Sequence, residues 1–186
     1  MILTETEYRD FISIHLNLIY YAGSNTEVID PNMTFAQFLK LKLEVKTKCR
    51  DQLNKNSYLL DNFIKDFSES LTTEKIKVIQ GFKQKIDGEF IILKCLKDNA
   101  IFIDTNDQKV YAVKALSDRF DTFFDFFPVY VNTTLIPFNG KIIYDGFLTS
   151  HRVIFGKNYR YEFNEIYKNA KRNNAIIRTI LNNTSL

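Results

Sequence analysis

Tryptophan is absent from the chain, and histidine and cysteine occur only twice each. His15, His151, Cys49 and Cys95 are widely separated, so no zinc or iron site at ligand spacing is written in the sequence. Carboxylates alone could hold magnesium, and Asp104, Asp107 and Asp145 lie at strand ends; turn formation explains each more simply. Six glycines and three prolines leave little room for long flexible linkers. They form neither a Gly-x-Gly-x-x-Gly loop nor a Walker loop, so a phosphate-cradling nucleotide site has no support. A Gly-x-Ser-x-Gly nucleophile elbow is also missing. No apolar run reaches the ~18 residues that a membrane-crossing helix needs. The opening Met1-Ile2-Leu3-Thr4-Glu5 is acidic where a secretory leader is basic. A cytoplasmic protein without metal or other cofactor, and without a membrane partner, is therefore expected. Cys49 and Cys95 both fall in apolar, periodic contexts. They are expected to be buried free thiols, with a disulfide between them as the alternative.

What the chain does have is phenylalanine and tyrosine, 17 and 10 of its 186 residues. Such side chains bury large areas, so this excess must serve the core, a contact surface, or both. The net charge of +3 conceals an uneven distribution. Residues 1–30 are acidic. Residues 40–55 carry Lys40, Lys42, Lys46, Lys48, Arg50 and Lys55 against Glu44 and Asp51. The stretch from Lys141 onward is basic again, with Arg152, Lys157, Arg160, Lys168, Lys171, Arg172 and Arg178 opposed by Asp145, Glu162 and Glu165. Two basic segments suit an anionic partner or an ordinary solvated helix surface.

The N-terminal half reads as helical. Thr4 and Glu7 form a capping box, Tyr8 to Ala22 follow helical spacing, and Gly23 is expected to end the helix. His15 lies on the apolar face, where a hydrogen-bonded core histidine is the simpler reading. A second capping box, Thr34 with Gln37, opens a helix expected to run to about Leu53. Two shorter helices follow, one through Leu59–Phe67 and one capped by Thr72 or Thr73 and stopped at Asp87-Gly88. At Glu89 the period becomes strand-like, with strands at Glu89–Leu96, Ala100–Asp104 and Lys109–Ala115. Their short connections require antiparallel neighbours. The Phe-rich run Ser117–Phe127 is expected to be a short helix plugging the sheet, with an exposed aromatic patch as the alternative. Further strands are expected at Val129–Phe138, Lys141–Leu148, Arg152–Phe155 and Ala175–Leu181, with a helix at Tyr159–Arg172 and a loose tail at 182–186. The expectation is an α+β chain: about four helices over 1–88, then over 89–186 an antiparallel β-meander of about five to seven strands with two inserted helices. No linker marks the boundary, so one compact unit is expected.

The densest run of signals is Leu135-Ile-Pro-Phe-Asn-Gly-Lys-Ile-Ile-Tyr-Asp-Gly-Phe147. Asn139-Gly140 between apolar runs predicts a type I′ hairpin, and Asp145-Gly146 predicts a second turn or a bulge. This block, with Phe90–Asp104 and Val110–Leu116, resembles an uncharacterised bacterial protein family that shares Pro-Phe-x-Gly-Lys-Ile-Ile-Tyr-Asp-Gly near its C-terminus. The resemblance covers roughly the second half. It carries no established activity, and implies that Lys141, Tyr144, Asp145 and Gly146 form the centre of the domain.

Three function classes remain open. Tyr144, Asp145, His151 and Arg152 contain the groups for metal-independent RNA cleavage: a base, an acid and a phosphate-binding cation. Tyr159, Arg160, Tyr161, Tyr167, Lys168, Lys171 and Arg172 interleave rings and cations in a manner suited to RNA or single strands. A Phe- and Tyr-rich chain without catalytic motifs also fits a protein-interaction module, such as an adaptor, an inhibitor or a mobile-element product. The expected function is non-enzymatic binding of a protein or ribonucleoprotein partner, with nucleic-acid binding next. The expected surface is Lys141, Tyr144, Asp145, Arg152, Lys157, Lys168, Lys171 and Arg172.

Overall fold

The computed structural model describes residues 2–180. Leu181, the expected end of the last strand, and the tail at 182–186 lie outside them. The α+β class holds. The chain divides into two compact units, Arg9–Lys83 and Met1–Tyr8 joined with Gln84–Leu186.

The helical unit contains most of α1 (Glu5–Asn25) together with α2 (Phe35–Leu39), α3 (Leu43–Lys55), α4 (Tyr58–Asp66) and α5 (Thr73–Gly81). Its core is built from Phe11, Leu18, Ile19, Phe38, Cys49, Leu53, Leu59, Ile79 and Phe82. The expected helix over 34–53 is two helices, because the chain turns at Lys40–Lys42. The Thr34–Gln37 capping box forms, and Thr72 caps α5. Gly23 does not end α1. It lies inside the helix, where a Cβ would stand 2.5 Å from Cys49 Sγ, so close approach of α3 requires glycine there. His15 is buried between the rings of Phe11 and Phe82. Burial, then Arg50, pushes its pKa down to about 3, so it is a neutral core residue.

The second unit is a five-stranded barrel of β1 (Ile86–Cys95), β2 (Ala100–Asp104), β3 (Val110–Lys114), β4 (Val129–Phe138) and β5 (Lys141–His151), followed by α6 (Lys157–Arg172). The order around the barrel is β1-β2-β3-β5-β4, and β4 returns to β1. All neighbours are antiparallel except β3 and β5, which pair in parallel through Val113–Ile142 and Lys114–Ile143. The expected meander is therefore corrected to a mixed, closed sheet. Its cause is the long connection between Lys114 and Val129, which carries the chain away from β3 so that β4 lands against β1. Strand β1 starts at Ile86, so Asp87-Gly88 belongs to the sheet and does not stop a helix.

Alternation along the strands sends Phe90, Phe102, Tyr111 and Tyr144 to the barrel interior, with ring centroids 6.0 Å (Phe90–Phe102) and 6.2 Å (Phe90–Tyr111) apart. Phe120 joins them at 5.2 Å from Phe102 and 5.1 Å from Tyr144. It alone is the plug expected of the whole Phe-rich run, which forms one 3-10 turn (Phe120–Thr122) and no α-helix. The opposite face of β1–β3, carrying Ile91, Leu93, Ile101, Ile103 and Val110, packs against Phe163, Ile166, Tyr167 and Ala170 of α6. Two covered faces explain why β1 and β2 read as nearly unbroken apolar runs. Residues 152–156 form no strand, and the described residues after α6, 173–180, contribute a single bridge, Ile177 to Tyr111.

Candidate nucleic-acid interface

The Leu135–Phe147 block supports the fold. Asn139 and Gly140 have φ of 47° and 71°, as the predicted hairpin requires. Asp145-Gly146 forms the bulge: pairing passes from Thr133–Leu148 to Leu135–Tyr144, and Gly146 has φ of 87°. Asp145 is 1% exposed. Its Oδ1 accepts from the Phe147 amide at 2.9 Å. Tyr144 is 8% exposed, and burial, with Asp145 next, pushes its pKa up to about 12. Lys141 donates to Glu7 Oε1, while Glu7 Oε2 accepts from the Thr4 amide of the α1 capping box. Asp104 and Asp107 perform the turn duty read from the sequence, accepting from the amides of Asn106 and Lys109 at 2.8 and 3.0 Å.

The structure therefore separates Tyr144 and Asp145 from His151 and Arg152. Tyr144 pairs with Leu135 inside the barrel, whereas His151 pairs with Tyr130 seven residues further along β5, about 20 Å away at strand rise. Among the described residues, no group of three or more His, Cys, Asp or Glu is placed to hold a metal ion. Cys49 and Cys95 are free thiols, Cys49 buried as expected but Cys95, at the end of β1, only half-buried; burial raises both pKa values, Cys95 to about 11.

Several exposed and half-buried rings gather elsewhere, where β4 begins, β5 ends and residues 152–156 lead into α6. His151 and Tyr130 lie ring on ring, with centroids 4.6 Å apart and planes 34° apart. The Tyr130 hydroxyl donates to Glu89 Oε2, which holds that pair in place. On one side, Phe123, Phe124, Phe126, Val129 and Ile154 line a cleft of about 340 Å³ together with His151 and Arg152. On the other side, Phe155, Tyr159 and Lys157 line a second, more open hollow with Tyr130. Phe123 and Phe126 are 51% and 58% exposed, and Ile154 is 86% exposed. The sequence reading named Arg152 and Lys157 from their charge. Tyr130 was missed, because strand alternation gives no sign of a cross-strand partner twenty-one positions away.

A second basic group lies on the C-terminal half of α6. Lys94 Nζ stands 4.1 Å from the centroid of the Tyr167 ring. Burial first, then Lys171 and Lys168, hold the Lys94 pKa below the usual lysine value. Lys168 is paired with Glu165 at 2.8 Å. Lys94, over the Tyr167 ring, therefore lies within electrostatic reach of Lys168 and Lys171, and Arg172 acts on Lys168 in the same way. Lys94 was not visible in the sequence as a member, because it comes from β1. Among the described residues no helix is long and apolar enough to cross a membrane. No family model matches the chain, and no curated protein or solved structure shows significant similarity to it.

Proposed function

We propose that this protein binds single-stranded nucleic acid, RNA or DNA, without cleaving it. The observation that carries this reading is a group of rings lining two hollows, exposed Phe126 and Tyr159 with the half-buried Tyr130 against exposed His151, flanked by Arg152 and Lys157. Rings of this kind stack on bases of any sequence, and adjacent cations meet the phosphates. The fold adds an analogy. A five-stranded barrel in the order 1-2-3-5-4-1 with β3 and β5 parallel has the connectivity of the oligonucleotide/oligosaccharide-binding barrel. A non-catalytic role is supported by the distance between buried Tyr144 and exposed His151. A cytoplasmic location accords with this reading.

The test is fluorescence anisotropy of labelled single-stranded RNA and DNA with the purified protein across a salt series, with the RNA then checked by gel. Expected are binding that weakens steeply with salt, intact RNA, and a log–log salt slope reduced by about 1 in Arg152→Ala. Absence of binding at low salt refutes the proposal, and cleaved RNA refutes its non-catalytic part. A second reading, docking of a protein partner, is favoured by the exposure of Ile154 beside Phe123 and Phe126. It requires a partner retained at high salt and lost in Ile154→Asp.

A further inference from the structure

We propose that the cleft lined by Phe123–Phe126 and His151–Ile154 is a base-specific subsite that prefers guanine; this rests on the nucleic-acid reading above. The cleft, at about 340 Å³, is at the small end of ligand sites and takes one base rather than a folded partner. Much of its lining is aromatic: Phe123 and Phe124 meet edge to face at 6.5 Å, and Phe126 and His151 line it as well. A base entering there gains stacking on these rings.

The two charged residues of the lining decide which base. Asp125 and Arg152 bring opposite charges to one aromatic slot. Arg152 suits a phosphate flanking the inserted base. A carboxylate repels phosphate, so Asp125 is unfavourable for unspecific backbone binding and favourable only where donors face it. The Watson–Crick edge of guanine places N1–H and an N2 amino hydrogen side by side, matching the two carboxylate oxygens as a bidentate pair. Cytosine and adenine present an amino donor next to a ring acceptor. Thymine and uracil present one N–H between two carbonyls, which a carboxylate repels. The expected order is guanine first, adenine and cytosine next, thymine and uracil last. That edge is free only in single-stranded nucleic acid.

The experiment uses fluorescein-labelled oligothymidylate, the same strand with one central guanosine, and the same strand with inosine at that position. Inosine keeps N1–H and lacks the N2 amino group. With the full-length protein, one guanosine is expected to tighten binding about tenfold and inosine to lose most of that gain. Asp125→Asn is expected to abolish the guanosine preference while oligothymidylate binding persists or improves. Phe126→Ala is expected to weaken every guanosine-containing strand about tenfold, since its ring is one wall. Asp125 and Phe126 are both exposed, so these variants retain the fold. Equal affinity for the three strands, or a guanosine preference that survives Asp125→Asn, overturns the subsite and leaves the binding function standing. Failure of every strand to bind overturns both.

Discussion

At the scale of single residues, the polar groups of the Leu135–Phe147 block are best understood through their partners. Lys141 is the clearest. Its ammonium and the Glu7 carboxylate are both partly buried, and the same carboxylate caps α1, so one charge serves two elements. The hydrogen bond from Lys141 is the largest effect on Glu7 and holds its pKa below the ordinary value of 4.5. A carboxyl group whose folded pKa is depressed stabilises the fold above its unfolded pKa and loses that contribution as pH falls through the folded pKa. Lys141→Met should therefore cost about 1 kcal/mol at neutral pH. The difference from wild type should shrink steadily as pH drops below 4.5 and vanish once Glu7 is protonated in both. Thermal melts of the two proteins at neutral and acid pH check this; a difference independent of pH would show that the lysine acts through packing alone. The residue type of Lys141, Tyr144 and Asp145 was legible in the sequence. Their burial was not, because it depends on Phe120 entering the barrel and on the Thr4–Glu7 turn reaching Lys141, and both are far from them in the chain.

At the scale of elements, the local signals were the legible ones. Capping boxes at Thr4 and Thr34 and the Asn139-Gly140 hairpin each depend on residues within four positions of one another, so local sequence signals them, whereas Asp145-Gly146 left a turn or a bulge open and the pairing of β4 on β5 decides for the bulge. Element ends and types failed where a distant packing partner decided the outcome, as with Gly23 against Cys49 and with Ser117–Phe127, where only Phe120 is drawn inside. The hairpin gives a direct test. Gly140 has φ of +71°, and a Cβ there would meet nothing within 4 Å, so strain and not collision opposes substitution. Gly140→Val should destabilise the protein by about 1–3 kcal/mol, whereas Gly140→Asn should cost much less because Asn tolerates this region. Urea denaturation midpoints of the two variants separate these effects; equal midpoints would remove backbone strain as the reason for glycine. The candidate interface shows the same division. Arg152 and Lys157 were visible as charges, but the Tyr130–His151 pair exists only through the register of β4 on β5.

At the scale of the whole molecule, the feature least visible to local reading is how the barrel closes. Strand β3 is shared among partners that arrive from every part of the sequence. Along Val110–Val113 it pairs with β2, and Val113 and Lys114 pair with β5. On the edge left open before β5 begins, Ile177 accepts from the Ala112 amide at 2.9 Å and donates to the Val110 carbonyl at 2.8 Å. Beyond the β2 pairing, Ile2 bridges Ala115, and the Leu3 amide donates to the carbonyls of Ala115 and Leu116 at 3.1 Å each. Segments near both ends of the described chain therefore finish a sheet whose strands lie between them, and the cost of closing such long loops is offset only once the core behind them is sealed. Leu3 is 4% exposed, while its neighbour Ile2 is 44% exposed. If Leu3 is a sealing residue, Leu3→Ala should cost about 2–4 kcal/mol, in line with a fully buried leucine, and Ile2→Ala should stay within about 0.5 kcal/mol. Amide exchange should locate the loss, with protection falling first at Ala115 and Leu116 and later at the β4–β5 hairpin. Equal small effects of the two substitutions would mean that the barrel closes without its N-terminal segment, and that β3 is held by β2, β5 and Ile177 alone.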